Sequence, residues 1–245
     1  MRALILAGGF GTRLAGVIPD LPKPMAPIGS RPFLEYLVLQ LRNERIDQIT
    51  LCTGYQSDKI ENYFSDGAGW GVSVDYCRET APLGTGGATK IAIESHDDDQ
   101  FLVMNGDSFF DAEIASLIED HRTEQRLATI ALVHVPDVAR FGGVQLAGNR
   151  IQAFTEKGRR GPGLISGGIY VLHRDIARWI PEGASSIELD VFQRLIGNRF
   201  CGKILDGFFI DIGVPGDYHW LAQHPQAFSR LVTTAENRSV NDHSE

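Results

Sequence analysis

Apolar and polar positions alternate along this chain in two rhythms. Residues 3–7 (Ala-Leu-Ile-Leu-Ala) and 49–53 are short apolar-rich runs, the pattern of strands covered on both faces. Between them Phe33, Leu34, Leu37 and Leu41 recur at helical spacing behind Pro32, which suits a first turn, with Arg42, Glu44 and Arg45 closing the helix. Ser57 reads as the cap of a short helix carrying Ile60, Tyr63 and Phe64. Residues 72–76 predict a third strand, Gly84-Thr85-Gly86-Gly87 opens a helix through Ile91 and Ile93, and residues 101–104 predict a fourth strand. This alternation predicts an α/β fold with a doubly wound, Rossmann-like, mostly parallel sheet.

The rhythm changes after a strand at residues 128–133. Residues 142–146, 151–156 and 165–172 have strand character with little helix between them. Short helices are expected at 175–179 and 187–196, then a strand at 208–210 and a last helix near 218–222. The expected organisation is one domain over residues 1–228. An inserted β-rich part occupies about 136–228, and residues 229–245 form a polar, flexible tail.

The 245 residues carry a formal net charge of -8 and no stripe of Lys or Arg, which argues against a nucleic-acid partner. Cys52, Cys77 and Cys201 lack CxxC spacing, so no disulfide framework or zinc site is expected, and Cys52 and Cys77, which lie in apolar segments, are expected to be buried thiols. The opening apolar run is too short for a signal peptide or a membrane span, and a cytoplasmic location is expected, with no membrane partner.

Candidate chemistry sits where the predicted strands end, the place at which open α/β sheets bind ligands. Gly8-Gly9-Phe10-Gly11-Thr12-Arg13 follows the first strand, and free N–H groups in such a loop can wrap phosphate oxygens. No Gly-Lys-Ser/Thr follows, so it is not a Walker A loop; Leu14 breaks the dinucleotide fingerprint. A plain tight turn is the alternative. Pro22-Lys23-Pro24-Met25 mounts an ammonium on a stiffened backbone, suited to a triphosphate, although a solvated surface lysine fits the same residues. Asp107 closes Asn105-Gly106-Asp107 and Asp211 follows the strand at 208–210. Each also has a plain reading, Asp107 as a turn residue and Asp211 as a helix cap. His134, His173 and His219 have no metal-ligand spacing. Glu188 and Asp190 suit the first turn of the helix behind Ser185 and Ser186.

Together these segments resemble the sugar-1-phosphate nucleotidylyltransferases over about residues 2–225. The likeness rests on Leu6-Ala7-Gly8-Gly9-Phe10-Gly11-Thr12-Arg13-Leu14 with Pro22-Lys23-Pro24-Met25, on Pro82-Leu83-Gly84-Thr85-Gly86-Gly87 and on Asn105-Gly106-Asp107. Three later segments extend it: Phe154-Thr155-Glu156-Lys157, Ser166-Gly167-Gly168-Ile169-Tyr170 and Asp211-Ile212-Gly213-Val214-Pro215. The resemblance implies transfer of a nucleotidyl group from a nucleoside triphosphate to a sugar 1-phosphate with release of pyrophosphate. It implies that residues 1–135 bind the nucleotide and 136–228 the sugar. Arg13 and Lys23 would hold the triphosphate, Lys157 the attacking sugar phosphate, and Asp107 and Asp211 one Mg²⁺. Leu6, Ala7, Gly8, Gly9, Gly11, Thr12, Glu79, Pro82, Gly84, Thr85, Asn105 and Gly106 would join the nucleotide site. Glu156, Gly168 and Glu188 would join Lys157 on the sugar side. A homo-oligomer is compatible with this reading.

Relatives that use uracil or thymine often carry Gln where Glu79 stands. A carboxylate only accepts, which suits the adjacent N1–H and N2–H₂ donors of guanine, so GTP is the favoured nucleotide. A solvated loop carboxylate, with the backbone reading the base, is the alternative. Within the family, Ser185-Ser186-Ile187-Glu188-Leu189-Asp190-Val191-Phe192 and the ending Phe209 to Pro215 are most similar to the heptose 1-phosphate guanylyltransferase branch. Mannose-1-phosphate guanylyltransferases come next and uridylyl enzymes for amino sugars third. The chain shows no hexapeptide-repeat domain, which argues against the bifunctional acetyltransferase type. A nucleotide-sugar-dependent glycosyltransferase and a non-catalytic nucleotide-sugar sensor are the competing classes. Asn105-Gly106-Asp107 is not an Asp-x-Asp motif.

Overall fold

The computed structural model describes residues 1–11, 14 and 16–233. Its first part contains strands β1 (Arg2–Leu6), β4 (Gln48–Thr53), β5 (Ser73–Arg78) and β6 (Gln100–Asn105), with a small hairpin of β2 (Pro27–Ile28) and β3 (Arg31–Pro32) and the short β7 (Ser108–Phe110). The later strands are β8 (Ala128–Val135), β9 (Val144–Ala147), β10 (Arg150–Phe154), β11 (Gly163–His173), β12 (Phe200–Ile204) and β13 (Phe209–Asp211). Helices are α1 (Phe33–Asn43), α2 (Ser57–Phe64), α3 (Gly84–Glu94), α4 (Ile114–Thr123), α5 (Gln193–Leu195) and α6 (Pro215–Gln223).

Nine strands form one sheet in the order β5-β4-β1-β6-β11-β8-β12-β10-β9. The strands β5, β4, β1 and β6 are parallel, as the sequence rhythm requires. The expectation of a mostly parallel sheet is corrected beyond β6. There β11 runs antiparallel to both β6 and β8, and β10 runs antiparallel to β9 and β12. Only β12 on β8 restores a parallel pair. Because β9 also pairs with β11, strands β11, β8, β12, β10 and β9 close into a small barrel.

The roll from open sheet to barrel occurs within β11. Its pairing to β8 shifts register between Ser166 and Tyr170, at the Gly167-Gly168 bulge, and Gly168 has φ +74°. A Cβ at Gly168 would run into Ser108 Oγ, and one at Gly167 into the Phe110 ring, so the bulge exists only without side chains. Strand direction was not readable here because a long strand with a hidden bulge has the same apolar pattern whichever neighbours it pairs with.

Both faces of the sheet are covered. Ala3, Ile5, Leu102 and Met104 point into one apolar core, while Leu4, Phe101 and Val103 point into the other. Alternate residues of a strand face opposite sides, so two cores are the physical content of an unbroken apolar run. Local expectations are refined in four places. Pro32 precedes α1 as its extended cap residue, and Gln56, in the left-handed region, caps α2 in place of Ser57. Strand β12 was not anticipated, since Gly202 interrupts its short run; that glycine lets the backbone pass over Leu132. Residues 229–233 are helical, and Leu231 and Val232 pack on the core, so the packed chain extends beyond 228. The rest of the expected tail, 234–245, lies outside the described residues.

Candidate active site

The carboxyl ends of β1 and β6 border a cavity of about 400 Å³. It is lined by Leu6, Ala7, Gly8, Gly9, Phe10 and Gly11 from the glycine loop, by Lys23 and Pro24, by Glu79, Pro82, Gly84, Thr85 and Ala88, and by Asn105, Gly106 and Asp107. Nearly every residue expected at the nucleotide site is therefore on one surface. Thr12 and Arg13 lie outside the described residues. Sequence reasoning missed Phe10, Pro24 and Ala88, which adjoin the quoted motifs but carry no polar chemistry to mark them.

Backbone contact fixes the loop. Ala7 N–H donates to Cys52 O at 2.8 Å, Tyr55 N–H to Gly8 O at 3.3 Å and Gly106 N–H to Leu6 O at 3.0 Å. A Cβ on Gly106 would lie 2.6 Å from Leu6 O, so the Asn-Gly-Asp turn can press on the end of β1 only through a glycine. Glycines 84, 86 and 87 serve a different contact. Their Cβ atoms would strike Ser185 or Gly183, and Gly86 N–H donates to Ser185 O at 2.8 Å. These glycines let the segment before the 187–192 helical turn lie against α3, and Thr85 Oγ1 accepts from Ile187 N–H at 3.0 Å.

Glu79 is half-buried on the cavity wall. Its Oε2 accepts from Leu83 N–H at 2.8 Å, while Oε1 lies against Gly8, close to the point where a Cβ there would stand. Burial pushes its carboxyl above the usual range and the Leu83 N–H pulls it back in part. One oxygen is thus committed to bracing the turn, and the other is left beside the glycine loop.

The two aspartates meet through the ladder of β13 on β7. Asp211 is the register partner of Ser108, and Ile212 N–H donates to Asp107 O at 3.0 Å. Asp211 does not cap α6, whose N-cap is Val214; its Oδ1 instead accepts from Gly213 N–H at 2.6 Å. Burial raises the Asp211 carboxyl pKa, the Asp107 charge adds to the rise, and Gly213 N–H, Lys23 and Arg140 oppose it. Lys23 Nζ donates to Asp107 Oδ2 at 2.5 Å, with the lysine itself buried. Two carboxylates and an ammonium are thus brought together, with Lys23 and Asp107 on the cavity wall.

The residues expected on the sugar side are not in the cavity wall. Glu156 and Lys157 are exposed in the turn after β10, which is tied to the loop before β9 by Gly158 N–H donating to Ala139 O at 2.7 Å. Glu188 lies in the π-helical turn Ile187–Phe192, capped by Ser186 Oγ accepting from Leu189 N–H. It accepts from the fully buried Tyr170 hydroxyl at 2.8 Å, and that hydroxyl accepts from Asn105 Nδ2 at 3.2 Å. Tyr170 went unsingled in the sequence, yet it joins Glu188 to the Asn-Gly-Asp turn. Gly168 packs beside the same Asn105. Asn105 Oδ1 and Ser108 Oγ are buried without a protein partner.

A glycine loop at the end of β1, a paired lysine and two aspartates joined across a short ladder form an arrangement suited to nucleotidyl transfer. The chain belongs to the nucleotidyl transferase family, whose profile matches residues 2–224. Among its relatives, it is 40% identical over 222 residues to the D-glycero-alpha-D-manno-heptose 1-phosphate guanylyltransferase of Aneurinibacillus thermoaerophilus, covering 89% of this chain and 95% of that one. It is 39% identical over 223 residues to the Campylobacter jejuni protein of the same name, covering 89% and 97%. Among solved structures, HddC from Yersinia pseudotuberculosis superposes with a TM-score of 0.81 at 34% identity, covering 91% of this chain and 98% of that one. It superposes equally in its complex with GMP-PN. Among the described residues no helix is long and apolar enough to cross a membrane.

Proposed function

We propose that this protein transfers the guanylyl group of GTP to D-glycero-alpha-D-manno-heptose 1-phosphate, giving the GDP-sugar and pyrophosphate. The observation that carries the reading is convergence. The glycine loop, Glu79, Lys23 and Asp107 line one cavity, and Asp211 reaches Asp107 from the far end of the chain. The names of the relatives supply the base and the sugar.

In this reading residues 1–135 hold the nucleotide and 136–228 present the sugar phosphate. Glu79 Oε1 accepts from the guanine donors while Oε2 keeps the Leu83 N–H. The loop from Gly8 to Gly11, with Thr12 and Arg13, and the Lys23 ammonium surround the triphosphate. Lys157 binds the sugar 1-phosphate, with Glu156 beside it and Gly168 and Glu188 on the sugar side. An oxygen of that phosphate attacks the α-phosphorus, the bond to the bridging oxygen breaks in line, and pyrophosphate leaves. The attacking group is already an anion, so no base has to remove a proton. Rate comes from holding two anions together and neutralising their charge.

The family typically works with a divalent metal, and the donor set here suits Mg²⁺. Asp107 and Asp211 are hard oxygen donors brought together by the β13–β7 ladder, the donor type that a hard divalent cation prefers. When bound, the metal would neutralise charge building on the α-phosphate. The test is pyrophosphate release from GTP, UTP, dTTP and ATP against heptose, mannose, glucose and N-acetylglucosamine 1-phosphates. GTP with the heptose phosphate should give the highest kcat/KM. A preference for UTP or dTTP would overturn the guanylyl reading, and no release from any pair would overturn the transferase itself.

A further inference from the structure

Lys23 does more in this structure than wait near a phosphate loop. Its ammonium is 2.5 Å from Asp107 Oδ2, and its side chain is only 10% exposed. The same Nζ would be 2.6 Å from a Cβ on Gly213, a point that also lies 2.7 Å from Asp211 Oδ1. Gly213 therefore leaves the space in which an ammonium reaches the pair of carboxylates. On the other side, the lysine stem packs under the loop, since a Cβ on Gly11 would be 2.7 Å from Lys23 Cβ. The proline on each side, Pro22 and Pro24, restricts the backbone that carries it.

We infer that Lys23 is the resting counter-ion of the Asp107–Asp211 pair, so that a divalent cation and the Lys23 ammonium exclude one another. The cation then binds well only together with the nucleotide. The inference rests on the proposed role of the two aspartates as metal ligands. Two neighbouring carboxylates, with Asp211 partly buried, need a positive neighbour, and in the free protein Lys23 supplies it. A divalent ion arriving alone meets a carboxylate oxygen already engaged by an ammonium and must displace it, leaving a buried lysine with no acceptor. Triphosphate oxygens bound at the glycine loop provide that acceptor. Lys23 then turns from Asp107 to the phosphates, and Asp107 becomes free to take the metal. One lysine serves both states, and its change of partner couples metal affinity to nucleotide occupancy. Leaving a buried ammonium without its acceptor should weaken binding of the metal alone by roughly tenfold or more.

The probe is Mn²⁺, titrated into the protein and followed by the loss of the free-ion electron paramagnetic resonance signal. It is measured with and without guanosine 5′-[α,β-methylene]triphosphate. Wild type should bind Mn²⁺ weakly alone and at least tenfold more tightly with the analogue, after correction for Mn²⁺ held by free analogue. Lys23→Met and Lys23→Gln, two charge-free replacements of similar length, should each bind Mn²⁺ alone at least tenfold more tightly than wild type. Placing Asp107→Asn on either background should abolish that gain. The inference is overturned if both Lys23 variants, folded by circular dichroism, bind Mn²⁺ alone no better than wild type. It is also overturned if wild type binds Mn²⁺ equally well without nucleotide. Asp107→Asn in the nucleotide complex separates the two ideas. Weakened Mn²⁺ binding there, with unchanged Lys23 variants, keeps the metal ligands and removes only the counter-ion role; unchanged binding removes both.

Discussion

Replacing Glu79 by Gln asks which part of the site reads the base. The geometry dictates how the new amide must sit. Leu83 N–H needs an acceptor at 2.8 Å, which only the amide oxygen can provide, so the NH₂ group takes the position of Oε1 beside Gly8. An acceptor facing guanine becomes a donor facing two donors. Loss of a hydrogen bond to a charged group costs about 1.5–3 kcal/mol. At about 1.4 kcal/mol per factor of ten, kcat/KM for GTP should fall roughly ten- to a hundredfold. UTP and dTTP, whose pyrimidines offer a donor flanked by acceptors, should lose much less. The assay is kcat/KM for the three nucleotides at fixed sugar 1-phosphate, with thermal melting as a control that the Leu83 brace survives. Burial raises the Glu79 pKa. Its acceptor charge should therefore be lost, as pH falls, sooner than for an ordinary carboxylate. The acid-side decline in GTP efficiency that this causes should be absent in the Gln variant. An unchanged ratio of GTP to UTP efficiency would refute the reasoning, and base recognition would pass to the backbone of the glycine loop.

Three other outcomes follow from the same geometry. Asp211→Asn should cut turnover by orders of magnitude yet raise Tm at neutral pH. The sign follows from linkage: a carboxyl whose folded-state pKa is raised costs stability once ionised, so the advantage of Asn should shrink as pH falls through that pKa. A lower Tm for the variant across the whole range would contradict this. Lys157→Ala should raise KM for sugar 1-phosphate more than KM for GTP; steady-state kinetics showing the reverse would place the sugar elsewhere. Gly84→Ala puts a Cβ 2.5 Å from Ser185 O at a residue with φ +66°, and a left-handed alanine alone costs about 1–2 kcal/mol. Its Tm should fall by several degrees, and a melting curve matching wild type would show that the 183–185 segment can move aside.

The parallel half of the fold was legible because short apolar runs alternate with stretches of helical spacing. The glycines after β1 and Asn105-Gly106-Asp107 after β6 were readable as strand-end segments, and they line one cavity. What the sequence concealed is contact between distant segments. Nothing local in Phe209-Ile210-Asp211 shows that it pairs with Ser108-Phe109-Phe110, although that ladder is what brings Asp211 to Asp107. Tyr170 reads as one more apolar strand residue, and only its neighbours Asn105 and Glu188 reveal a hydrogen-bonded hydroxyl. The glycines of 84–87 were legible as a helix start but not as the seat for Ser185, because a close approach is a property of two segments and one alone cannot display it.

The barrel closure described above also governs which edges of the sheet are left unpaired. A sheet that ends in bare strands offers backbone donors and acceptors to any passing chain, and edge-to-edge pairing is a route to aggregation. Here β9 folds back onto β11, so that side of the nine-stranded sheet has no free border, and β5 is left as the outer strand on the other. The β5 border is guarded by charge. Asp75 is held by Arg2, with His96 close by, and Arg78 is paired with Asp58. Paired charges of this kind on an outer strand are a guard against edge-to-edge pairing.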